Sequence, residues 1–283
     1  MARFTNQAQL RYGNAIANSN IAVGEILEVL SATKTAVRKN YGRNDTITYL
    51  VSVVNAGNTA FTGLTLTDNL GAYVYDTQTL VPLRYIDGTV KYYSNGTLQA
   101  APAVTAGPPL VISGLTVPAN GSILIAYETD VNEYAPLDVE AEIVNTATIS
   151  GTGITPVTVQ ETVSAGSEPV LTITKSISPV PVTENGTLTY TFLIQNTGNV
   201  AVEEAAASVV TDQFNPILSN LTVTFNGTAW AGTTNYIYNE DTGLFSTVPG
   251  QITVPAATFA QDELTGAWNV TPGVSTLVIT GTI

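Results

Sequence analysis

Residues 4 to 26 open with an alternation of period two. Phe4, Asn6, Ala8, Leu10 and Tyr12 fall on one side of an extended chain, all apolar or aromatic except Asn6, while Thr5, Gln7, Gln9 and Arg11 fall on the other. The pattern predicts a half-buried strand, then a turn and a second strand carrying Ile16, Ile21, Val23 and Ile26, with no domain of its own. The same alternation returns at 143 to 149, where Ile143, Asn145, Ala147 and Ile149 repeat Phe4, Asn6, Ala8 and Leu10, and a second strand follows at 154 to 163.

Most of the chain is one pattern written twice. At an offset of 141 positions LSATKTAV (30 to 37) overlays LTITKSIS (171 to 178), and DTITYLVSVVNAGN (45 to 58) overlays GTLTYTFLIQNTGN (186 to 199). With three inserted residues, LTLTDNL (64 to 70) then meets SVVTDQF (208 to 214). Weaker echoes pair SNGT (94 to 97) with FNGT (225 to 228), and SILIAYET (122 to 129) with STLVITGT (275 to 282). Short, alternating, β-branched segments separated by Asn-Gly and Asp-Gly turns predict an all-β sandwich for each copy. AGN (56 to 58) and TGN (197 to 199) each follow a strand and supply a Gly and an Asn that tolerate positive φ in a turn. Residues 200 to 207, VAVEEAAA, suit a strand edge or one turn of helix equally.

These repeats divide the chain into an N-terminal arm (1–27), a first sandwich (28–166) and a second (167–283), with SAGSEP (164 to 169) as linker. The first copy continues into its 143 to 163 hairpin; the second stops at Ile283, where its own copy of that hairpin is due. The expectation is that the arm of one molecule supplies those strands to the second sandwich of the next. Phe4, Ala8, Leu10, Tyr12, Ile16, Ile21, Val23 and Ile26 then form the donor interface. Burying the large ones yields a gross term on the order of 10 kcal/mol before ordering costs. Two alternatives stay open: the arm packs on its own first domain, or the natural chain continues past Ile283.

The ordered set of T-K, Thr-Tyr with an apolar strand ending in N-x-G-N, L-T-D or V-T-D, and V-N-T-A-T resembles the "DUF eleven" conserved repeat of bacterial and archaeal surface proteins, over roughly residues 28 to 283. The resemblance implies immunoglobulin-like β-sandwiches serving as structural or adhesive modules on cell surfaces, stalks or filaments.

Composition narrows the chemistry. The chain has 283 residues, a net charge of -13, no Cys and no His. Nucleic acid and anionic membrane surfaces are excluded as partners, because both need clustered Lys and Arg. Disulfides, thiolate chemistry, His-based triads and ordinary zinc sites go together, and no enzyme activity, cofactor or metal is expected. Met1 to Tyr12 lacks the basic start and apolar run of a secretory signal, and no stretch reaches the length of a membrane span. Assembly in a compartment later opened by lysis, as for appendages on bacterial spores, reconciles this with an extracellular place on a cell or spore surface. No surface anchor protein is identifiable.

Lys34 shares a strand face with Leu30, Ala32 and Ala36, and Lys175 shares one with Leu171, Ile173 and Ile177. Asp68 falls on the side of Leu64, Leu66 and Leu70, Asp212 on that of Val210 and Phe214. Asn145 and Asn6 lie on the apolar faces already described. From residue 92 onward Lys175 is the only cation. A buried Lys, acid and Asn resemble the parts of the self-forming isopeptide bond of Gram-positive pilin and adhesin domains. That resemblance implies that desolvation leaves a neutral amine and a protonated acid that shuttles protons as ammonia leaves. Lys34 would join Asn145 with Asp68 assisting, and Lys175 with Asp212 would take Asn6 of the neighbouring molecule. An unreacted Lys-Asp ion pair with Asn hydrogen-bonded to it satisfies the same residues.

Other signals carry two readings each. The N-x-T sequons at Asn44, Asn95, Asn185, Asn226 and Asn269 are glycosylation acceptors or turn sequences. The run Asp130, Asn132, Glu133, Asp138, Glu140, Glu142 is a hard-cation site or a solvated loop. Trp230, Trp268, Tyr236 and Tyr238 are a carbohydrate-binding face or core. A monomeric adhesin or glycan-binding module using the 71 to 117 and 213 to 272 insertions is the alternative function.

Overall fold

The structure, a computed structural model, describes residues 2–26 and 29–283. Apart from a one-turn 3-10 helix at Glu204–Ala206, the elements among the described residues are strands. No helix there is long and apolar enough to cross a membrane. The chain forms two compact units. One takes in the arm through Lys39, Asn44–Asn132 and Ile143–Val163; the other takes in Asn40–Arg43, Glu133–Glu142 and Ser164–Ile283.

The arm is a long hairpin made of two ladders. β1 (Ala2–Asn6) pairs with β4 (Ala22–Ile26), and β2 (Gln9–Tyr12) pairs with β3 (Ala15–Asn18) around the two-residue turn Gly13-Asn14. Neither ladder joins another sheet among the described residues. Phe4, Leu10, Tyr12, Ile16, Ile21 and Val23 are all more than half exposed. Directly opposite residues share a face, so Asn6 sits with Ala22, Phe4 with Gly24 and Leu10 with Ala17. Ile16 lies opposite Arg11 and Val23 opposite Thr5, which turns both to the face away from Leu10 and Phe4. Ile21 lies outside the strands, and the side chain of Ile26 lies outside the described residues.

The first unit is a β-sandwich. One sheet runs β5 (Leu30–Ala36), β6 (Thr46–Asn55), β9 (Gly121–Val131), with Lys91–Ser94 and Thr97–Leu98 at its far edge; β7 (Phe61–Asp68) and β8 (Leu110–Val117) belong to the other. That second sheet continues from β7 to β10 (Glu142–Ser150) and β11 (Val157–Ala165). Alternation decides the core: Tyr49, Val51 and Val53 of β6, Leu64 and Leu66 of β7, Ile125 and Tyr127 of β9, and Ile143, Ala147 and Ile149 of β10 are all buried.

The second unit repeats only part of this. Its larger sheet runs β12 (Leu171–Ser178), β13 (Thr187–Asn196), β17 (Gly273–Thr282), β15 (Ser219–Phe225) and Thr228–Trp230; β14 (Thr211–Gln213) and β16 (Leu244–Thr247) pair in a separate three-stranded sheet completed by Tyr236–Asn239. Among the described residues no strand pairs with β14 on the side where β10 pairs with β7 in the first unit. The consequence shows on β12, where every residue is exposed, including Leu171, Ile173 and Ile177 at 44%, 53% and 44%.

Two details of the repeat differ from the sequence reading. The ladders place Gly121 opposite Asn55 and Gly273 opposite Asn196, so Tyr127 corresponds to Ile279, one position away from the echo drawn between 122 to 129 and 275 to 282. In the N-x-G-N turns, neither Gly57 nor Gly198 takes positive φ. Their glycines answer close approach instead: a Cβ on Gly57 meets Val29 at 2.9 Å, and one on Gly198 meets the Glu168 carbonyl at 2.2 Å. The buried Asn55 and Asn196 hold these turns in the same way, accepting from the amide of Gly57 or Gly198 and donating to two carbonyls each. At 200 to 207 both readings apply, since Val202 bridges to Val254 before the single 3-10 turn.

Phe245 is fully buried in the core of the second unit, against Phe214 and Tyr236. Phe245→Ala is expected to lower that unit's stability by about 3–5 kcal/mol in urea unfolding while the first unit's transition stays in place.

Candidate functional site

Lys34 lies near the end of β5 with Val51 of β6 opposite, and its side chain enters the sandwich completely. Its Nζ stands 4.8 Å from the centre of the Tyr49 ring and donates to Asp68 Oδ2 at 2.5 Å. Tyr127 donates its hydroxyl to the same carboxylate oxygen, and the Leu70 amide donates to Oδ1 at 2.8 Å. Lys34 and Asp68 side chains are both 0% exposed. Burial pushes the Lys34 amine down to about 8, although Asp68 pulls the other way. Burial first, then the charge and hydrogen bond of Asp68, hold the Tyr127 phenol well above its ordinary range.

Asn145 completes the group. β10 runs antiparallel to β7 with Ala147 opposite Asp68, which places Asn145 two residues along on the same face. Its carboxamide reaches the Tyr127 hydroxyl. The side chain is fully buried, yet neither its nitrogen nor its oxygen completes a hydrogen bond. An amide held so costs about 1–3 kcal/mol of desolvation. The site thus holds an amine whose proton affinity is lowered by burial, a carboxylate that accepts from three donors and an unsatisfied carboxamide.

The second unit presents the same platform uncovered. Lys175, opposite Phe192, places its Nζ 4.3 Å from the Tyr190 ring and 5.4 Å from those of Phe192 and Phe214, and it donates to Asp212 Oδ2. Its side chain remains 37% exposed and that of Asp212 17%. Ile279, at the place of Tyr127, offers no hydroxyl to the acid. Asn6, the candidate acceptor, is exposed in the arm. The structure therefore pairs Lys34 with Asp68 and places Asn145 on the strand beside Asp68, and it pairs Lys175 with Asp212 with no asparagine on a strand beside them among the described residues.

Tyr127 is the residue that the sequence reading missed. The alternation of SILIAYET puts it on the inner face with Ile123 and Ile125, which was signal enough. The other candidates take these places. Asn44, Asn95, Asn185 and Asn226 all have positive φ, and Asn95 and Asn226 accept from the Ser122 and Thr276 amides. Among the described residues no three acidic side chains converge as a metal site. Trp230, Tyr236 and Tyr238 pack against the buried core of the second unit.

By fold the chain is similar to pilus subunits of known structure. These include the pilus backbone RrgB from Streptococcus pneumoniae (14% identity, TM-score 0.36, covering 86% of this chain and 55% of that one) and the major pilin SpaD from Corynebacterium diphtheriae (13%, 0.36, 86% and 59%). A third is BcpA, the major pilin subunit of Bacillus cereus, at 12% identity and TM-score 0.36, covering 96% of this chain and 73% of that one. The chain thus spans little more than half the length of the first two. No family model and no curated protein matches the chain.

Two measurements follow from the contrast between the sites. In the unassembled protein a water-soluble amine reagent is expected to modify Lys175 and spare Lys34, read by peptide mass mapping; equal labelling would contradict the difference in cover. In an Asn145→Ala chain the Lys34 amine has no carboxamide to react with and stays titratable. Its folded pKa lies below that of unfolded lysine, so the unfolded state binds more protons between about pH 8 and 10. Stability of the first unit should rise with pH across that window, by at most about 1.4 kcal/mol per unit; a flat profile contradicts it.

Proposed function

We propose that the protein is a non-enzymatic structural subunit of a filament on a cell or spore surface, joined head to tail through its own N-terminal arm. The observation that carries this is a complementarity within one chain. In the first unit β10 pairs beside Asp68, at the matching edge of the second unit no strand pairs among the described residues, and an arm whose ladders join no other sheet there carries the β10 pattern with Asn6 at the place of Asn145. An extended segment adding to an open sheet edge gains main-chain hydrogen bonds and side-chain burial together. Because the donor and acceptor surfaces differ, the contact is heterologous and propagates into an open filament. The resemblance of both copies to a repeat of surface proteins supports the location.

The same chemistry would lock the joint. The neutral lysine Nζ attacks the asparagine Cγ, the Cγ–Nζ bond forms and the Cγ–Nδ2 bond breaks. The carboxyl hands a proton to the departing nitrogen and recovers one from the amine, so that ammonia leaves. In the first unit this joins Lys34 to Asn145 within one chain. In the second it joins Lys175 to Asn6 of the next copy, with Asp212 as the acid.

Electron microscopy and denaturing gels test both parts. Purified protein should form filaments, and boiling them in detergent should leave a ladder. Deleting residues 2 to 27 should give monomers, and Asn6→Ala or Lys175→Ala should collapse the ladder to a 29.6 kDa band. Each closed bond removes about 17 Da as ammonia, so an intact mass unchanged from that of the sequence sinks the covalent step. Glycan binding by a permanent monomer would favour the adhesin reading.

A further inference from the structure

The geometry of the two units points to a specific docking edge and register for the incoming strand: residues 7 to 11 of a second copy lie antiparallel along Val209–Gln213, with Ala8 opposite Asp212, Gln9 opposite Thr211 and Leu10 opposite Val210. This rests on the proposed strand donation and names the surface and alignment it uses.

In the first unit β7 lies between β8 and β10, with Leu110 on one side of Asp68 and Ala147 on the other. In the second unit β16 takes the place of β8, with Phe245 opposite Asp212. On the other side of β14, where β10 would lie, no strand stands among the described residues. The backbone alternation says which groups face that opening. Val210 accepts from the Thr247 amide and Phe214 donates to the Gly243 carbonyl, both toward β16. The intervening Thr211 and Gln213 therefore turn their N–H and C=O groups outward.

One hydrogen bond marks the edge as waiting. In the first unit the Asn69 amide donates to the carbonyl of Thr146 on β10. Its counterpart, the Gln213 amide, donates instead to Oδ1 of the adjacent Asp212 at 2.9 Å. In the docked register the carbonyl of Gln7 replaces that oxygen, as Thr146 does, and releases one side of the acid. Side chains agree with the alignment. Ala8 and Leu10 take the inner places held by Ala147 and Ile149, and Gln9 and Arg11 take the outer places of Thr148 and Ser150. Asn6 then falls on the Lys175 side as Asn145 falls on that of Lys34.

The chain has no cysteine, so engineered pairs report the register directly. Full-length chains carrying Thr211→Cys are mixed with full-length chains carrying one cysteine at Thr5, Gln7, Gln9 or Arg11, all with Asn6→Ala to suppress the amide bond, and treated with dibromobimane. The dimer yield should peak at Gln9→Cys, fall several-fold at Gln7→Cys and Arg11→Cys, and vanish at Thr5→Cys, since two residues along a strand are about 7 Å. A peak at another position overturns the register while leaving strand donation standing. Filaments without any of these cross-links overturn the edge as well. If no copies associate and no cross-link forms, strand donation itself fails along with it. A Thr211→Cys thiol that is shielded yet never linked to an arm would mean that another segment occupies the edge.

Discussion

The structure turns on the cost of placing a lysine and a carboxylate between two apolar sheets. Water must leave both groups, and only close pairing or a change of chemical state makes that tolerable. In the first unit the cost is met from several sides: Lys34 and Asp68 meet at 2.5 Å, two further donors hold the acid, and the Tyr49 ring faces the amine. The same enclosure lowers the amine's proton affinity.

Internal duplication supplies a comparison within one molecule. Both lysines stand on an aromatic floor and both meet the acid that the repeat aligns with them. What differs is the roof. β10 and β11 close over the first pair and bring a carboxamide; the second keeps more than a third of its lysine in solvent. Ile279 in place of Tyr127 leaves Asp212 with one donor fewer inside the sheet. The two sites thus share a Lys-Asp pair on aromatic rings and differ in the strand paired beside the acid among the described residues.

An open sheet edge beside an exposed apolar face is a place where other chains add. The arm has the opposite problem, since a two-stranded ladder with Phe4, Leu10 and Tyr12 in water gains little stability alone. Its faces are unequal: Asn6 and Phe4 share theirs with Ala22 and Gly24, the Phe4 ring lying over Gly24, while Arg11 and Gln9 occupy the other. Each feature is a deficit by itself, and the two are matched in pattern.

Alternation and self-similarity in the chain were enough to specify the sandwiches, the long strands and the inward aim of Lys34, Asp68 and Asn145, because a period of two assigns faces before any strand finds a partner. The absence of cysteine and histidine likewise settled which chemistry was out of reach. Strand pairing was different. The correspondence of Tyr127 with Ile279, the separation of Ile16 and Val23 from the Asn6 face, and the close approach at Gly57 and Gly198 depend on register, and a slip of one residue reverses a face. Whether a lysine is sealed or wet depends on layers contributed from distant parts of the chain. Lys34 and Lys175 have near-identical local sequences, and they differ in that β10 lies beside Asp68 while no strand pairs at the corresponding edge beside Asp212 among the described residues.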